Sequence, residues 1–153
     1  MEADARERGL EIEMVDRVGA TSLEHAAELL GIEPSDIVKS LVVKRKDGSY
    51  LFALIPGDRQ ISWPKLRAVV GVNKLSLPDE RLALEATGYS RGTITPLGST
   101  TAWPVYADAS MTGKRVSLGA GEHGISLYVD ADALLASFDA TVADITEPLA
   151  PRP

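Results

Sequence analysis

Two apolar segments on either side of Asp47-Gly48 form the clearest pattern of hydrophobic and polar positions in the chain. Residues 37–46 and 50–55 are rich in β-branched and aliphatic side chains. An Asp-Gly pair between two such segments is typical of a β-hairpin. The pattern therefore predicts two antiparallel strands joined by a tight turn.

A two-residue loop would also fix the register of this hairpin. Lys46 would pair with Ser49, and Lys39 would then lie opposite Pro56. Because side chains alternate along a strand, Lys39 is predicted to share its face with Leu41. A lysine is thus expected on the more apolar face of the hairpin, near the end where pairing stops.

The remaining periodicity predicts helices and further strands. A capping box formed by Thr21 and Glu24 would begin one helix, and glycines would end several. The predicted helices are residues 3–9, 23–30, 62–71, 78–87 and 130–138. The predicted strands, besides the hairpin, are residues 10–15, 72–75, 105–108, 116–118, 125–129 and 141–145. We expect an α/β (α+β) fold in which helices pack on a mixed sheet.

Length and composition limit the classes of protein. A chain of 153 residues suits one domain, with residues 147–153 as a flexible, proline-rich tail. It has no cysteine, which excludes disulfides, thiol nucleophiles and thiolate zinc sites, and two histidines are too few for a histidine-rich metal centre. No metal or cofactor is expected. With no membrane-spanning stretch and no signal-peptide core, we expect a cytoplasmic protein.

The formal net charge of −6 bears on nucleic-acid binding. A stand-alone nucleic-acid binder usually carries a basic excess. Any contact with nucleic acid should therefore be local or shared with a partner protein.

Lys39 is the first candidate for chemistry, because lysine is rarely buried without a partner. A half-buried ammonium could hold a phosphate or a carbonyl oxygen, or act as a base. The alternative is an edge-strand lysine whose ammonium reaches water.

Two glycine-rich segments, residues 88–98 and 119–124, are the second candidate. Glycine allows backbone amides to approach a ligand closely, and consecutive amides can bind an anion. The alternatives are an ordinary long connection and a hairpin loop with glycines at positive φ.

Other residues give weaker signals. Asp108 follows a strand and could orient a substrate or cap the next turn. Glu122 and His123 could form an acid–base pair, but they are adjacent in a loop, where neighbouring side chains generally point apart. Trp63 and Trp103 are expected to pack in the core. No Gly-x-Ser-x-Gly, Walker or His-Glu-x-x-His motif is present, so a hydrolase here would position water and stabilise an oxyanion with amides.

Several motifs, in this order, resemble one family. The segments are Ile37-Val-Lys-Ser-Leu-Val42, Ile55-Pro-Gly-Asp58, Thr87 to Gly98, Asp108 and Leu118-Gly-Ala-Gly121. Together they resemble the YbaK/EbsC/ProX family of trans-editing aminoacyl-tRNA deacylases, which is similar to the editing insertion domain of bacterial prolyl-tRNA synthetase. The resemblance covers roughly residues 20–140 and implies a mixed α/β domain around a curved sheet.

The resemblance also implies roles for residues. The family's invariant lysine falls on Lys39, and its Gly-x-x-x-Pro loop falls on residues 92–96. Lys39 and Gly92 are the implied catalytic residues, and the implied substrate-binding residues are Thr93, Ile94, Thr95, Pro96, Asp108, Gly119 and Gly121. Thr93 departs from the family pattern, since many members have a second glycine there.

The implied activity is hydrolysis, in trans, of the ester of a mischarged tRNA, such as tRNA(Pro) carrying Cys, Ala or Ser. Prolyl-tRNA synthetase is the implied protein partner. Water, the ribose hydroxyl or the substrate's own side chain could attack. Two alternatives remain open: a binding module or regulator that holds an acceptor end without cleaving it, and a structural domain with a solvated lysine.

Overall fold

The computed structural model describes residues 1–149. The helices in this part of the chain are α1 (Glu2–Glu7), α2 (Leu23–Leu30), α3 (Trp63–Val70), α4 (Glu80–Thr87) and α5 (Ala131–Ser137). The strands are β1 (Glu13–Asp16), β2 (Val38–Arg45), β3 (Tyr50–Pro56), β4 (Arg59–Ile61), β5 (Leu75–Ser76), β6 (Val105–Asp108), β7 (Arg115–Gly119), β8 (Ile125–Asp130), β9 (Thr141–Ala143) and β10 (Thr146–Pro148).

A five-stranded mixed sheet of order β5-β2-β3-β6-β9 is the largest sheet. Its hairpin and β5 are antiparallel, whereas β3, β6 and β9 run parallel. A three-stranded antiparallel sheet of order β1-β8-β7 lies beside it, joined through a parallel bridge between Ile37 and Ser117. The prediction of a mixed sheet with packed helices in an α+β fold is confirmed.

Hydrophobic residues cover both faces of the five-stranded sheet. On one face, Phe52 and Leu54 pack in a cluster that includes the three-stranded sheet and α5. On the other face, Leu51 and Ile55 pack against Leu66 of α3. Every residue of β3 is buried, as expected for a central strand enclosed on both faces. Both tryptophans join these clusters, as the sequence predicted.

The predicted register of the β2–β3 hairpin is wrong by one residue. Lys39 pairs with Ile55, and Arg45 bonds to Ser49 across the turn. The loop therefore has three residues, ending at Gly48 with φ of +87°, which is a common loop type with glycine in the left-handed region. Lys39 still shares its face with Leu41, because alternation within one strand does not depend on the register.

The second helix has its predicted bounds but a different cap. Ser22 is the N-cap, and its hydroxyl accepts a hydrogen bond from the His25 N–H at 3.0 Å. Thr21 instead bonds to the His25 ring, so the predicted capping box is wrong. Gly31 ends the helix at φ of +70°, as a C-terminal glycine commonly does.

Two short strands, β4 and β10, were missed in the sequence. β10 pairs antiparallel with β4, with Glu147 opposite Gln60. The prediction of a flexible tail from residue 147 is therefore wrong for residues 147 and 148, because their backbone is held in this two-stranded sheet. Leu149 is exposed and follows the strand, and residues 150–153 lie outside the described residues.

Asp108, one of the implied substrate-binding residues, makes structural contacts in this fold. Only 2% of its surface is exposed. One carboxylate oxygen accepts hydrogen bonds from the Ile145 N–H at 3.1 Å and the Thr146 hydroxyl at 2.9 Å. The other accepts from the N–H and hydroxyl of Ser110. The carboxylate thus ties the end of β6 to Ile145 and to the start of β10.

The Asp108→Asn variant should be less stable at pH 7 by about 1–3 kcal/mol. The side-chain NH2 group of asparagine cannot accept hydrogen bonds, and it would face groups that donate them. Burial alone would raise the pKa of Asp108, but the hydrogen bonds from Ser110, Ile145 and Thr146 outweigh it and hold the pKa below the ordinary 3.8. A lowered folded-state pKa stabilises the protein above the unfolded value and loses that contribution as pH falls. The difference between the two proteins should therefore shrink below about pH 3.8.

Urea unfolding of both proteins at several pH values measures this difference. Asp47→Asn is the matched control, because Asp47 also accepts bonds from the Ser49 N–H and hydroxyl but is fully exposed. The control should lose less stability. Equal stability of Asp108→Asn and the unmodified protein at pH 7 would contradict the structural role.

Candidate active site

One cavity of about 530 Å³ lies between β2, α2, the start of α4 and the two glycine-rich segments. Lys39 from β2, Gly92 and Ile94 from the first glycine-rich segment, and Gly119 from the end of β7 all line it. The structure therefore brings together residues that lie up to 80 positions apart in the chain. A cavity of this size is within the range of small-molecule sites.

Lys39 contributes a half-buried ammonium. Its Nζ donates a hydrogen bond to the backbone carbonyl of Arg59 at 2.6 Å, which leaves two of its three N–H donors for a ligand. Burial lowers the pKa of Lys39 from its ordinary 10.5, while the nearby carboxylates of Asp58 and Glu24 act in the opposite direction. The group is thus a fixed donor whose hydration is already partly removed.

Gly92 lies in a tight turn from Ser90 to Thr93. The Thr93 N–H bonds to the Ser90 carbonyl at 3.0 Å, and Gly92 has φ of +88° in the third position. This geometry strongly favours glycine. Within residues 1–149, the N–H groups of Gly92 and Ile94 have no protein acceptor. Two residues that line the cavity therefore have peptide N–H groups without a protein acceptor, and a carbonyl oxygen or oxyanion could accept from them.

The other residues of this loop hold it in place rather than line the cavity. Thr93 and Thr95 are buried, at 1% and 0% exposure, and Pro96 is buried as well. The Thr93 hydroxyl donates to the Ser90 carbonyl at 2.7 Å, and its own carbonyl accepts from the Gly121 N–H at 3.0 Å. These three residues therefore do not line the cavity, and their hydrogen bonds and packing hold the loop in position.

The second glycine-rich segment touches the first at two points. A Cβ on Gly119 would lie 2.9 Å from the Ile94 carbonyl oxygen, so only glycine allows this approach without movement of the loop. Gly121, at φ of +87°, packs against the ring of Tyr89 and does not line the cavity. Gly119 thus both borders the cavity and sets the position of the loop, whereas Gly121 only supports it.

Several residues of the cavity were missed in the sequence. Arg17 lines it and donates from Nε to the Ser126 hydroxyl at 2.6 Å, and Arg91 lies at its edge, 3.9 Å from Glu80. Ser40 also lines it. The alternation of side chains along β2 could have identified Ser40, because it places this polar residue between Val38 and Val42 on one face of the strand. The arginines carry no such signal, because their positions depend on how loops fold.

Two weaker candidates lie elsewhere. Asp108 does not line the cavity. Glu122 and His123 are exposed and do not line it either, although His123 approaches Ser90, with Nε2 at 3.4 Å from the hydroxyl. Among the described residues, the cavity lining includes no histidine.

The sequence and the fold of this chain are similar to those of known proteins. The model of the aminoacyl-tRNA editing domain family matches residues 18–136. A protein of Enterococcus faecalis, provisionally named Cys-tRNA(Pro)/Cys-tRNA(Cys) deacylase EbsC, is 30% identical over 126 residues, which are 82% of this chain and 77% of that protein. The crystal structure of a provisional trans-editing enzyme for prolyl tRNA synthetase superposes with a TM-score of 0.86 at 28% identity, covering 95% of this chain and 94% of that one.

A proline–tRNA ligase of Thermosipho africanus is also similar, at 36% identity over 88 residues. The match covers 58% of this chain but only 16% of the ligase. The likeness therefore concerns a small segment of that much longer protein.

These findings define a hydrolase that acts on aminoacyl-tRNA. More narrowly, the chain belongs to the aminoacyl-tRNA editing domain family, and the YbaK-like resemblance is confirmed. Its class of substrate is mischarged tRNA. In residues 1–149 we find no helix long and apolar enough to cross a membrane.

The Gly119→Ala variant should lose activity because of the contact with the loop. The new Cβ would meet the carbonyl oxygens of Ile94 and Thr93 at 2.9 and 3.3 Å, so residues 92–94 must shift. Since small displacements of donors are costly in catalysis, we expect kcat/KM for aminoacyl-tRNA hydrolysis to fall by about tenfold or more. Steady-state deacylation kinetics measure this.

Gly113→Ala is the matched control for this variant. It replaces a glycine that does not line the cavity, and nothing lies within 4 Å of the added Cβ, although Gly113, unlike Gly119, has a positive φ of +75°. The control should lose some stability and keep its activity. Full activity of Gly119→Ala would show that the loop position does not matter.

Proposed function

We propose that this chain hydrolyses, in trans, the ester of tRNA(Pro) that carries a small wrong amino acid such as Cys, Ala or Ser. The observation that carries the proposal is the shared cavity of Lys39, Gly92 and Ile94. The provisional names of the relatives, which mention Cys-tRNA(Pro) and prolyl tRNA synthetase, support the choice of tRNA.

The cavity suits the end of a charged tRNA. Its volume of about 530 Å³ could enclose an amino acid and the terminal ribose, with the rest of the tRNA outside. Leu118 and Val42 line it and are buried, so they form part of an apolar wall for a side chain. Selectivity would rest on the limited room for that side chain, and a difference of one methylene gives only about 10–200-fold discrimination.

The reaction needs little apparatus, because an aminoacyl ester is already activated. An oxygen nucleophile adds to the carbonyl carbon, and the carbonyl oxygen becomes an oxyanion. The N–H groups of Gly92 and Ile94 would stabilise that oxyanion. The ester C–O bond then breaks, and the ribose oxygen leaves with a proton. With no histidine or cysteine among the described lining residues, the nucleophile would be water or a group of the substrate.

Lys39 would anchor the substrate with its ammonium, through a phosphate of the acceptor end or the ester carbonyl. Its contact with the Arg59 carbonyl fixes the ammonium before substrate arrives. Fixing a donor in advance removes reorganisation from the reaction step.

The charge of the protein favours a limited contact with tRNA. A net charge of −6 repels a phosphate backbone. The cations Arg17 and Arg91 lie at the cavity, where they would meet only the acceptor end. Prolyl-tRNA synthetase is the proposed partner that presents the mischarged tRNA.

The Lys39→Ala variant should lose deacylase activity and keep its fold. The loss of a preorganised donor costs about 10²- to 10³-fold in rate. Because a half-buried charge is partly desolvated, its removal should change stability little. The assay follows loss of the ester from Ala-, Ser- and Cys-tRNA(Pro), with Pro-tRNA(Pro) as the substrate that should survive.

Lys44→Ala is the matched control, since Lys44 lies in the same strand and does not line the cavity. It should keep its activity. A folded Lys39→Ala protein with normal turnover would remove this lysine from the mechanism. No hydrolysis of any mischarged tRNA(Pro) by the unmodified protein would overturn the proposed substrate.

A further inference from the structure

A group of cations lies at one edge of the five-stranded sheet, where β2 ends and β5 begins. Arg45, Lys46 and Lys74, together termed the basic patch, line an open depression of about 280 Å³. Within residues 1–149, none of these three cations forms an ion pair with a carboxylate within 4.0 Å. The remaining residues that line the depression are Asp47, Val72 and Asn73.

The pairing of β2 with β5 brings two lysines to facing positions. Arg45 pairs with Leu75 in the antiparallel ladder, so the next facing positions are those of Lys46 and Lys74. Both lysines are exposed. Like charges directly opposite each other on neighbouring strands destabilise a sheet. This arrangement is therefore unfavourable for the free protein, and an anion between the two ammonium groups would relieve it.

One carboxylate adjoins the cations. Asp47 lines the same depression, and one of its oxygens accepts hydrogen bonds from the N–H and the hydroxyl of Ser49. Three cations and one anion still leave an excess of positive charge. The protein as a whole has a net charge of −6, so this excess is local. A depression lined mainly by one sign of charge attracts ions of the opposite sign.

The basic patch and the cavity lie along the same edge of β2. From Lys74 the chain passes through β5 to Leu77, which lines the cavity, and three residues of extended chain span about 10 Å. Lys46 is seven positions from Lys39 along β2, which is about 23 Å. A substrate whose end lies beside Lys39 would thus meet the basic patch with a part that is about 20 Å from that end.

The lining of the depression suits a phosphate group. Lys, Arg and Asn side chains commonly contact phosphate oxygens, and such contacts orient a nucleic acid without reading its sequence. The described residues that line the depression include no aromatic side chain, on which an unpaired base would stack. The chemistry therefore favours the sugar–phosphate backbone over a base.

We propose that the basic patch binds phosphates of the acceptor stem of the tRNA whose ester enters the cavity. Stacked nucleotides rise about 3.4 Å each along one strand, so a contact about 20 Å from the ester falls about six nucleotides from the end of the chain. This inference rests on the proposed function, because it assumes that the cavity receives the aminoacyl end. The contact adds affinity for any tRNA and offsets part of the repulsion by the acidic protein.

The test compares two substrates that carry the same ester, Ala-tRNA(Pro) and the alanyl ester of adenosine, because only the tRNA is long enough to reach the patch. Lys46→Ala/Lys74→Ala should raise KM for the tRNA by about 2- to 30-fold, as expected for the loss of two exposed charge pairs. Its kcat for the tRNA and its hydrolysis of the short ester should not change. Lys46→Arg/Lys74→Arg keeps both charges and should keep the KM of the unmodified protein.

Arg6→Ala/Arg115→Ala is the matched control. It removes the same charge from two exposed positions that line neither the cavity nor the depression. A smaller rise of KM for the tRNA in the control than in the lysine variant would support a local contact. Equal rises in both would indicate a general effect of net charge and would overturn the proposal.

A binding arm separates this inference from the proposed function. Titration of uncharged tRNA(Pro) at several salt concentrations gives a slope of log K against log salt, and each neutralised phosphate contributes about −0.7 to −0.9 to it. Lys46→Ala/Lys74→Ala should therefore flatten the slope by about 1.4 to 1.8.

The outcomes of the two arms are distinct. A flattened slope with no hydrolysis of any ester would overturn the proposed function and retain the phosphate contact. An unchanged slope would overturn the phosphate contact even if hydrolysis is fast. Weaker binding of prolyl-tRNA synthetase with unchanged binding of tRNA would also overturn it, because the patch would then serve a protein partner.

Discussion

The contact between the Lys39 ammonium and the Arg59 carbonyl is the constraint on which the site depends. A lysine in a partly apolar position needs an acceptor, and a backbone carbonyl supplies one that cannot rotate away. Arg59 is itself held, because its Nε donates to the Thr146 hydroxyl at 2.5 Å. That hydroxyl donates in turn to the buried carboxylate of Asp108. A chain of polar contacts thus runs from the core to the cavity.

These polar contacts give Asp108 a structural role that its position in the sequence does not indicate. It contacts no part of the cavity, yet it fixes Thr146, which fixes the segment that carries the acceptor for Lys39. On the opposite wall, the close approach of Gly119 to the Ile94 carbonyl has a similar effect on the loop. Both sets of donors, the ammonium and the peptide N–H groups, are therefore placed by contacts outside the cavity.

Sequence patterns predicted most helices and strands, because hydrophobic periodicity and the residues that begin or end an element are local properties of the sequence. The bounds of α2 and the parallel strand β6 follow from apolar spacing and flanking residues. The hairpin register could not be read in the same way, since Asp47-Gly48 fits both a two-residue and a three-residue loop, and the choice depends on how the whole sheet packs. The short strands β4 and β10 were missed for a related reason, as each is stable only through the other.

In the site, too, some residues were identifiable from local sequence and others only from contacts between distant segments. Lys39 and the glycines were identifiable because their residue types are unusual in their local context. The position of Arg17 and the buried role of Asp108 depend on contacts between distant segments, which no local pattern encodes. Ser40 lies between these cases: its place among apolar residues of β2 was visible in the sequence, but the lack of a partner for its hydroxyl is a property of the folded chain.

The pairing of β10 with β4 has a practical consequence for anyone who shortens or fuses this protein. Thr146 lies in the strand that clamps the Arg59 backbone, so a truncation that looks like removal of a dispensable end would release the carbonyl that orients a lysine more than a hundred positions earlier. A boundary at residue 145 would thus remove contacts that hold the Arg59 backbone beside Lys39.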